Sequence, residues 1–162
     1  MLLLDLIVLW IHLFFAIIFI GGSFFIWFVV WPASYDVTDD EKLRTKVVGK
    51  IAKRFAYFTH VSLVLLVITG LYNVTWYLPS AGNLFTTMAG KLLFTKALLV
   101  LVVIVMIYVN NLYHGKKIMK LSEDGKYSEM RRIRKRTHLF SYASLGILLV
   151  ITILAAAMQF YG

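Results

Sequence analysis

Four long apolar segments divide the chain and limit the folds that it can adopt. They cover about residues 6–31, 55–78, 92–113 and 139–161. About 20 apolar residues, at 1.5 Å per residue, cross roughly 30 Å of hydrocarbon, so each segment predicts one transmembrane α-helix. The segments are joined by short connections, which predict a single domain, residues 1–162, folded as an up-down-up-down bundle of an all-α integral membrane protein.

The positive charge is concentrated in two short loops. Of the 17 Lys and Arg residues, all but Lys91 and Lys96 lie within residues 42–54 and 116–136, and the net charge is +9. The positive-inside rule places both loops in the cytoplasm, and both termini with the loop 79–87 outside a cell membrane. Attraction of the basic loops to anionic lipid headgroups accounts for this charge, so the lipid bilayer is the predicted partner and nucleic acid is not.

Local signals predict where the helices begin and end. Pro32 indicates the end of the first helix. Thr38 and Glu41 have the spacing of a capping box, which predicts that the second helix begins one residue after Thr38. Residues 122–125 predict a turn, followed by a basic helical segment, 128–136, that continues into the fourth helix.

Each of the four histidines lies on or at the edge of a different predicted helix. An ionisable side chain at membrane depth is costly and usually faces a protein interior, so these imidazoles are the first candidates for function. The candidate metal ligands are His12, His60, His114 and His138. The candidate cofactor-binding residues are His60, His114, His138 and Lys96. Interfacial residues facing lipid headgroups are the alternative interpretation of the histidines near the basic loops.

On three helices, polar side chains share a face with the histidine, which predicts that these faces turn toward one another. The predicted faces are Asp5, Phe19 and Ser23 with His12; Lys96, Val103 and Asn110 with His114; and Tyr142, Thr152 and Gln159 with His138. On the second helix Ser62, Thr69 and Asn73 lie opposite His60, so the sequence leaves the orientation of this helix open.

Depth in the bilayer separates the histidines into two groups. His12 is expected in the outer half, with Asp5 and Lys96 as neighbours that form an ion pair. His60, His114 and His138 are expected near the cytoplasmic boundary, where they can converge. Lys96 is expected either to extend to the outer surface or to hold an anion such as a haem propionate. Gly21-Gly22 predicts a close approach between helices.

Several short motifs occur in an order that resembles a known family. They are Ile11-His12, Phe19-Ile20-Gly21-Gly22, Arg54-Phe55, Ile68-Thr69-Gly70-Leu71-Tyr72, Gly90-Lys91-Leu92-Leu93-Phe94-Thr95-Lys96 and Asn110-Asn111. Over roughly residues 8–115 the chain resembles the copper-resistance D (CopD) type membrane domain. It is also distantly similar to the HemJ-type protoporphyrinogen oxidases, which are haem-binding four-helix proteins. His12 matches the first-helix histidine of both patterns, and Lys96 the third-helix lysine.

The CopD resemblance implies copper transport or copper tolerance. Cu(I) prefers thiolate and thioether ligands and accepts imidazole. The chain has no cysteine, and Met106 and Met158 are expected off the polar faces, so the histidines remain as predicted ligands. One alternative is a redox protein that holds a b-type haem between two histidines and exchanges electrons with quinol. Another is a small accessory subunit of a membrane complex, or a homo-oligomer, with structural histidines.

The sequence shows no sign of a hydrolase. No serine or carboxylate lies beside a histidine at a spacing that would assemble a nucleophile and its base on one helix face. We therefore expect a transport or binding protein more than an enzyme.

Overall fold

The computed structural model describes residues 3–77 and 82–160, and these ranges are almost entirely helical. The four long helices are α1 (Leu3–Val37), α2 (Glu41–Tyr77), α3 (Met88–Glu123) and α4 (Tyr127–Phe160). A helical turn, Asn83–Thr86, precedes α3. All four helices are long and apolar enough to cross a bilayer, which confirms the predicted four-helix membrane protein. Pro79, in the predicted outer loop, lies outside the described residues.

The helices pack as two hairpins around a small apolar core. α1 packs mainly against α2, and α3 mainly against α4. The core consists of the buried side chains Phe19, Leu63, Val103, Leu145, Leu148 and Ile151. Many other large apolar side chains point outward, among them Leu98, Leu101 and Val105 on α3. An outer surface of this kind suits contact with lipid tails and is not compatible with water.

α1 does not end at Pro32, contrary to the sequence prediction. The helix continues to Val37 through a π-helical segment, Ile26–Val30, in which Trp31 N–H donates to the carbonyl of Ile26. A proline ring clashes with the carbonyl four residues earlier in a regular α-helix. The wider π turn just before Pro32 makes room for the ring, so the chain stays helical at the proline.

α2 begins at Glu41, two residues later than predicted, and its N-cap is Asp40. The Asp40 carboxylate accepts hydrogen bonds from the backbone N–H groups of Lys42, at 2.8 Å, and Leu43, at 3.2 Å. Thr38 Oγ1 accepts only from Asp40 N. The predicted capping box is therefore wrong, because Asp40 provides the cap and the Glu41 carboxylate binds two arginines of α4 instead.

The predicted turn after α3 is confirmed. Gly125 has φ +71°, a conformation that favours glycine, and α4 then runs without interruption from Tyr127 to Ala157. The basic segment 128–136 is thus the first part of α4. We call the end of the bundle that carries residues 42–54 and 116–136 the basic end.

Only one residue of the Gly21-Gly22 pair allows the close approach of helices. A Cβ atom on Gly22 would overlap the ring of Phe55 on α2, with 2.6 Å to Cζ, whereas a Cβ on Gly21 would meet nothing within 4 Å. The predicted packing role is therefore confirmed for Gly22, which lets α1 lie directly against α2.

The predicted polar face of α4 is wrong. Tyr142, Thr152 and Gln159 are exposed, whereas Ser141, Ser144 and Met158 are buried. Packing of Leu148 and Ile151 into the core fixes the rotation of α4. Thr152 tolerates an outward position because its hydroxyl donates to the carbonyl of Leu148 at 2.9 Å.

The orientation of α2, left open by the sequence, follows from its two neighbours. Thr69 faces His12 of α1, while the ring of His60 stacks on Tyr108 of α3 at 5.2 Å between centroids. α2 therefore lies between α1 and α3, and both of its polar sides are covered by protein.

Candidate functional site

A cavity of about 230 Å³ lies between the four helices toward the basic end. Both π-helical segments, Ile26–Val30 in α1 and Asn110–Gly115 in α3, contribute residues to its wall. π-Helical turns are rare and occur frequently at functional sites. The convergence of both segments on one cavity marks it as the candidate site.

Two thioethers belong to the cavity wall. Met106 and Met119 both lie on α3 and both line the cavity. Gly49 of α2 leaves room for Met119, because a Cβ at position 49 would lie 2.7 Å from the Met119 sulfur. The hydroxyl of Ser144 on α4 approaches the Met106 sulfur at 3.8 Å. The wall therefore offers soft sulfur donors from one helix, held in place by small residues of its neighbours.

Asn110 adds an oxygen acceptor to this wall. Its amide nitrogen donates to Ser141 Oγ on α4 at 3.0 Å. Its Oδ1 atom is buried and has no hydrogen-bond partner within residues 3–77 and 82–160. A buried, unpaired amide oxygen is costly, so this atom is available to a bound species in the cavity.

His138 lines the cavity from α4 and is fixed by two indoles of α1. The edge-on contacts of its ring measure 5.0 Å to Trp27 and 4.6 Å to Trp31, between ring centroids. Aromatic packing on both rings restricts the rotation of the imidazole. His138 is the one histidine of the described chain that borders this cavity.

Arg134 lies beside His138 at the basic end of the cavity and is buried. Its guanidinium donates to Glu41 Oε1 at 3.0 Å and to Thr45 Oγ1 at 2.7 Å, and it lies over the Trp31 ring. Arg131 completes the cluster with a 2.7 Å contact to the other Glu41 oxygen. These contacts tie α4 to α2 and to α1 where the cavity ends.

A second polar group surrounds His12, near the opposite end of the bundle. Thr69 Oγ1 donates to the carbonyl of Leu65 at 2.6 Å and lies 2.8 Å from His12 Nδ1. A hydroxyl has one hydrogen, so when Thr69 donates to Leu65, His12 Nδ1 is the donor to Thr69 and the lone pair of the ring is on Nε2. The imidazole also lies close to Gly70 of α2, where an added Cβ would be in ordinary van der Waals contact, 3.4 Å from His12 Cε1.

Asp5 and Lys96 also lie in this second group, but differently from the prediction. Asp5 accepts a hydrogen bond from Tyr72 at 2.8 Å. Lys96 lies close enough to His12 to interact with it electrostatically. The ion pairs recorded in the described part of the chain are those of Glu41 with Arg131 and Arg134, so the expected Asp5–Lys96 pair is not among them.

His60 and His114 do not border the cavity. His60 stacks on Tyr108, and His114 packs edge-on against Phe140 at 5.7 Å. Nδ1 of each ring is buried with no hydrogen-bond partner among the described residues. Across residues 3–77 and 82–160, no three His, Asp or Glu side chains lie close enough together to hold a metal ion. The predicted convergence of His60, His114 and His138 is not seen, and their roles as ligands stay predictions.

Sequence reasoning missed Met106, Met119 and Arg134. Contrary to the sequence prediction, Met106 lies near the polar face of α3, because it is four residues before Asn110, roughly 40° away on the helix, and lines the same cavity. Arg134 lies among several other Lys and Arg residues in the basic segment 128–136. Nothing in their spacing shows which of these side chains turns toward the protein interior.

Comparison with known proteins identifies one related family. The family model described as "Copper resistance protein D" matches residues 49–158, more than half of the chain. The matched region contains the cavity residues of α3 and α4 and excludes His12. No curated protein and no solved structure matches the chain.

Proposed function

Because the chain belongs to the copper resistance protein D family, we propose that it binds Cu(I) in the membrane and transports it through the cavity at the basic end. The observation that supports this proposal is the composition of the cavity wall, where Met106, Met119 and His138 occur together. Thioether and imidazole are ligands that Cu(I) accepts. In this proposal copper is the substrate and not a resident cofactor.

The chemistry of these ligands suits passage more than storage. Thioethers bind Cu(I) without losing a proton and more weakly than thiolates, which the chain lacks. The cavity is otherwise largely apolar, so an ion there has few competing ligands. Weak ligands allow the ion to leave again, as conduction requires.

His12 is the proposed second binding point for copper, toward the other end of the bundle. Its Nε2 lone pair is free for a metal because Nδ1 binds Thr69. The neighbouring Lys96 repels a cation, so binding at His12 is expected to be weaker than in the cavity.

The other functions predicted from the sequence have less support. A bis-histidine haem site needs two imidazoles that face one space, whereas His60, His114 and His138 each pack against different aromatic rings. The relation to HemJ-type proteins and the accessory-subunit role stay predictions. An absorption spectrum of the purified protein tests haem binding directly, because a bound haem gives a Soret band.

Uptake of Cu(I) into proteoliposomes tests the transport proposal. We expect the wild-type protein to admit Cu(I), detected by a chelator dye inside the vesicles. The double substitution Met106→Leu with Met119→Leu keeps the volume of the side chains and removes both sulfurs. We expect it to reduce the uptake rate by about tenfold or more, because only imidazole remains in the wall.

Met88→Leu is the matched control. Met88 is exposed at the start of α3, away from the cavity, so its substitution should leave uptake unchanged. If wild-type vesicles admit no more copper than empty ones, copper transport is wrong. If the double variant transports Cu(I) as fast as the wild type, the protein is a copper transporter but the proposed route along Met106 and Met119 is wrong.

A further inference from the structure

A second pocket opens at the basic end, next to the cavity. It encloses about 370 Å³ between α1, α2 and α4. Its wall consists of Tyr35, Glu41, Arg44, Arg131, Arg134, Lys135 and His138. Four cations face one carboxylate, so the pocket has an excess of three positive charges. Copper cations would be repelled from such a pocket, and the proposed transport function does not explain it.

The single carboxylate of the pocket is already shared. Glu41 contacts Arg131 at 2.7 Å and Arg134 at 3.0 Å. Neither Arg44 nor Lys135 takes part in an ion pair recorded among residues 3–77 and 82–160. The charge excess is therefore located mainly on Arg44 and Lys135.

Arg44 is held in position without an anionic partner. Its guanidinium stacks on the ring of Tyr35 at 4.1 Å, and one terminal nitrogen donates to the Thr38 carbonyl at 3.3 Å. Its Nε atom is buried with no hydrogen-bond acceptor in the described ranges. An arginine with a fixed plane and an unused donor is suited to bind a phosphate or carboxylate, because its fork of N–H groups matches those oxygens.

The position of the pocket restricts the anion further. Arg134 and Lys135 precede the apolar part of α4, which begins at about residue 139, by four or five residues. At 1.5 Å per residue the pocket lies roughly 7 Å beyond the hydrocarbon, at the level of lipid headgroups. Phosphate groups are the main anions there, and soluble phosphates also reach this level from the water.

We propose that the pocket formed by Arg44, Arg131 and Lys135 around Glu41 is a binding site for one phosphate group. The group belongs either to an anionic phospholipid headgroup or to a soluble phosphate. Arg44 and Lys135 bind its oxygens, while Arg134, held by Thr45 and Glu41, forms the base of the site. A phosphate in this position links α1, α2 and α4 at the basic end.

Two binding measurements on the full-length protein test the proposal and separate the two sources. In one, radiolabelled inorganic phosphate is equilibrated with the protein in nanodiscs of phosphatidylcholine. In the other, native mass spectrometry counts the phosphatidylglycerol retained by protein released from mixed nanodiscs. We expect saturable binding of one phosphate group per chain in at least one measurement. Binding only in the first indicates a soluble anion, and binding only in the second indicates a lipid.

Arg44→Gln is the decisive variant, and Arg54→Gln is its matched control. Arg54 lies on the same helix, is exposed and does not line the pocket. We expect Arg44→Gln to weaken binding by about tenfold or more and Arg54→Gln by less than about twofold. Of these two arginines, Arg44 alone contributes a positioned, charged donor to the pocket. Arg44→Lys, which keeps the charge without the fork, should retain part of the affinity.

The proposal is overturned if neither measurement saturates, or if Arg44→Gln and Arg54→Gln reduce binding equally. If Arg44→Gln does not give a folded protein by gel filtration, the pair Lys135→Gln and Lys126→Gln replaces it. Lys135 lines the pocket and Lys126 is exposed away from it. The same difference between the pair is expected, and equal binding by both again overturns the proposal. Loss of copper transport does not bear on this result.

Discussion

At the scale of single residues, the hydrogen bonds of Thr69 bear on the protonation of His12, which the sequence positions of the two residues do not indicate. His12 and Thr69 are far apart in the chain, yet His12 Nδ1 lies 2.8 Å from Thr69 Oγ1, and the tautomer of the imidazole depends on which of the two groups donates. The hydroxyl of Thr69 has its own acceptor, the Leu65 carbonyl, and this leaves it only one role toward His12. The hydrogen bond from the Thr69 side chain to a backbone carbonyl of α2 therefore favours the Nδ1-protonated tautomer of His12 on α1.

Thr69→Val tests this role of the threonine. We expect nitrogen NMR of histidine-labelled protein to show His12 protonated at Nδ1 in the wild type, and a mixture of tautomers in the variant. Loss of the hydrogen bond with His12 should also lower the free energy of unfolding by about 1 kcal/mol relative to Thr152→Val, which loses only a bond to a backbone carbonyl. Thr152→Val is the control, because Thr152 also donates to a carbonyl four residues earlier but faces outward. A wild-type His12 protonated at Nε2 would contradict the assignment.

At the scale of helices, small residues decide how closely neighbours approach. Gly22 lies under the ring of Phe55, and Gly49 lies under the sulfur of Met119. The first contact joins α1 to α2, and the second joins α2 to α3 beside the cavity. In both contacts a glycine lets α2 lie close to a neighbouring helix. The sequence predicted such a close approach only for the Gly21-Gly22 pair.

Gly22→Ala and Gly21→Ala form a matched pair for this contact. The alanine methyl at position 22 meets the Phe55 ring, so we expect a net destabilisation of about 1 kcal/mol from overpacking. At position 21 the methyl enters open space, and alanine favours the helix, so the variant should be neutral or slightly more stable. Denaturant unfolding in detergent, followed by circular dichroism, measures both. Equal stability of the two variants would argue against the observed packing.

At the scale of the whole molecule, a cluster of charged side chains joins three helices at the basic end, next to the buried side chain of Met130. Glu41 begins α2, and its carboxylate is bound by Arg131 and Arg134 of α4. Arg134 in turn lies over Trp31 of α1. Glu41 thus joins α2 to α4, and Arg134 joins α4 to α1, at the place where the cavity and the cationic pocket share Arg134 and His138.

Glu41→Gln tests whether this cluster holds the helices together. The buried Arg134 would lose its charged partner, and we expect the free energy of unfolding to fall by about 2 kcal/mol. Glu129→Gln is the control, because Glu129 is an exposed carboxylate in the basic segment of α4 and forms no recorded ion pair within the described residues. Thermal unfolding in detergent measures both variants. A Glu41→Gln protein as stable as the Glu129→Gln protein would show that the cluster contributes little.

The sequence by itself determined the four helices, the membrane class, the turn after α3 and the relation to copper proteins. These properties follow from hydropathy, length and local motifs, which depend on residues close together in the chain. The tertiary structure decided the continuation of α1 through Pro32, the rotation of α4 and the composition of the cavity wall. Each of these depends on packing between helices, where a π turn or a single buried leucine changes which face turns inward. Met119 of α3 and Arg134 of α4 are site residues only because of their neighbours on α2, where Gly49 leaves room for Met119 and Glu41 and Thr45 bind Arg134.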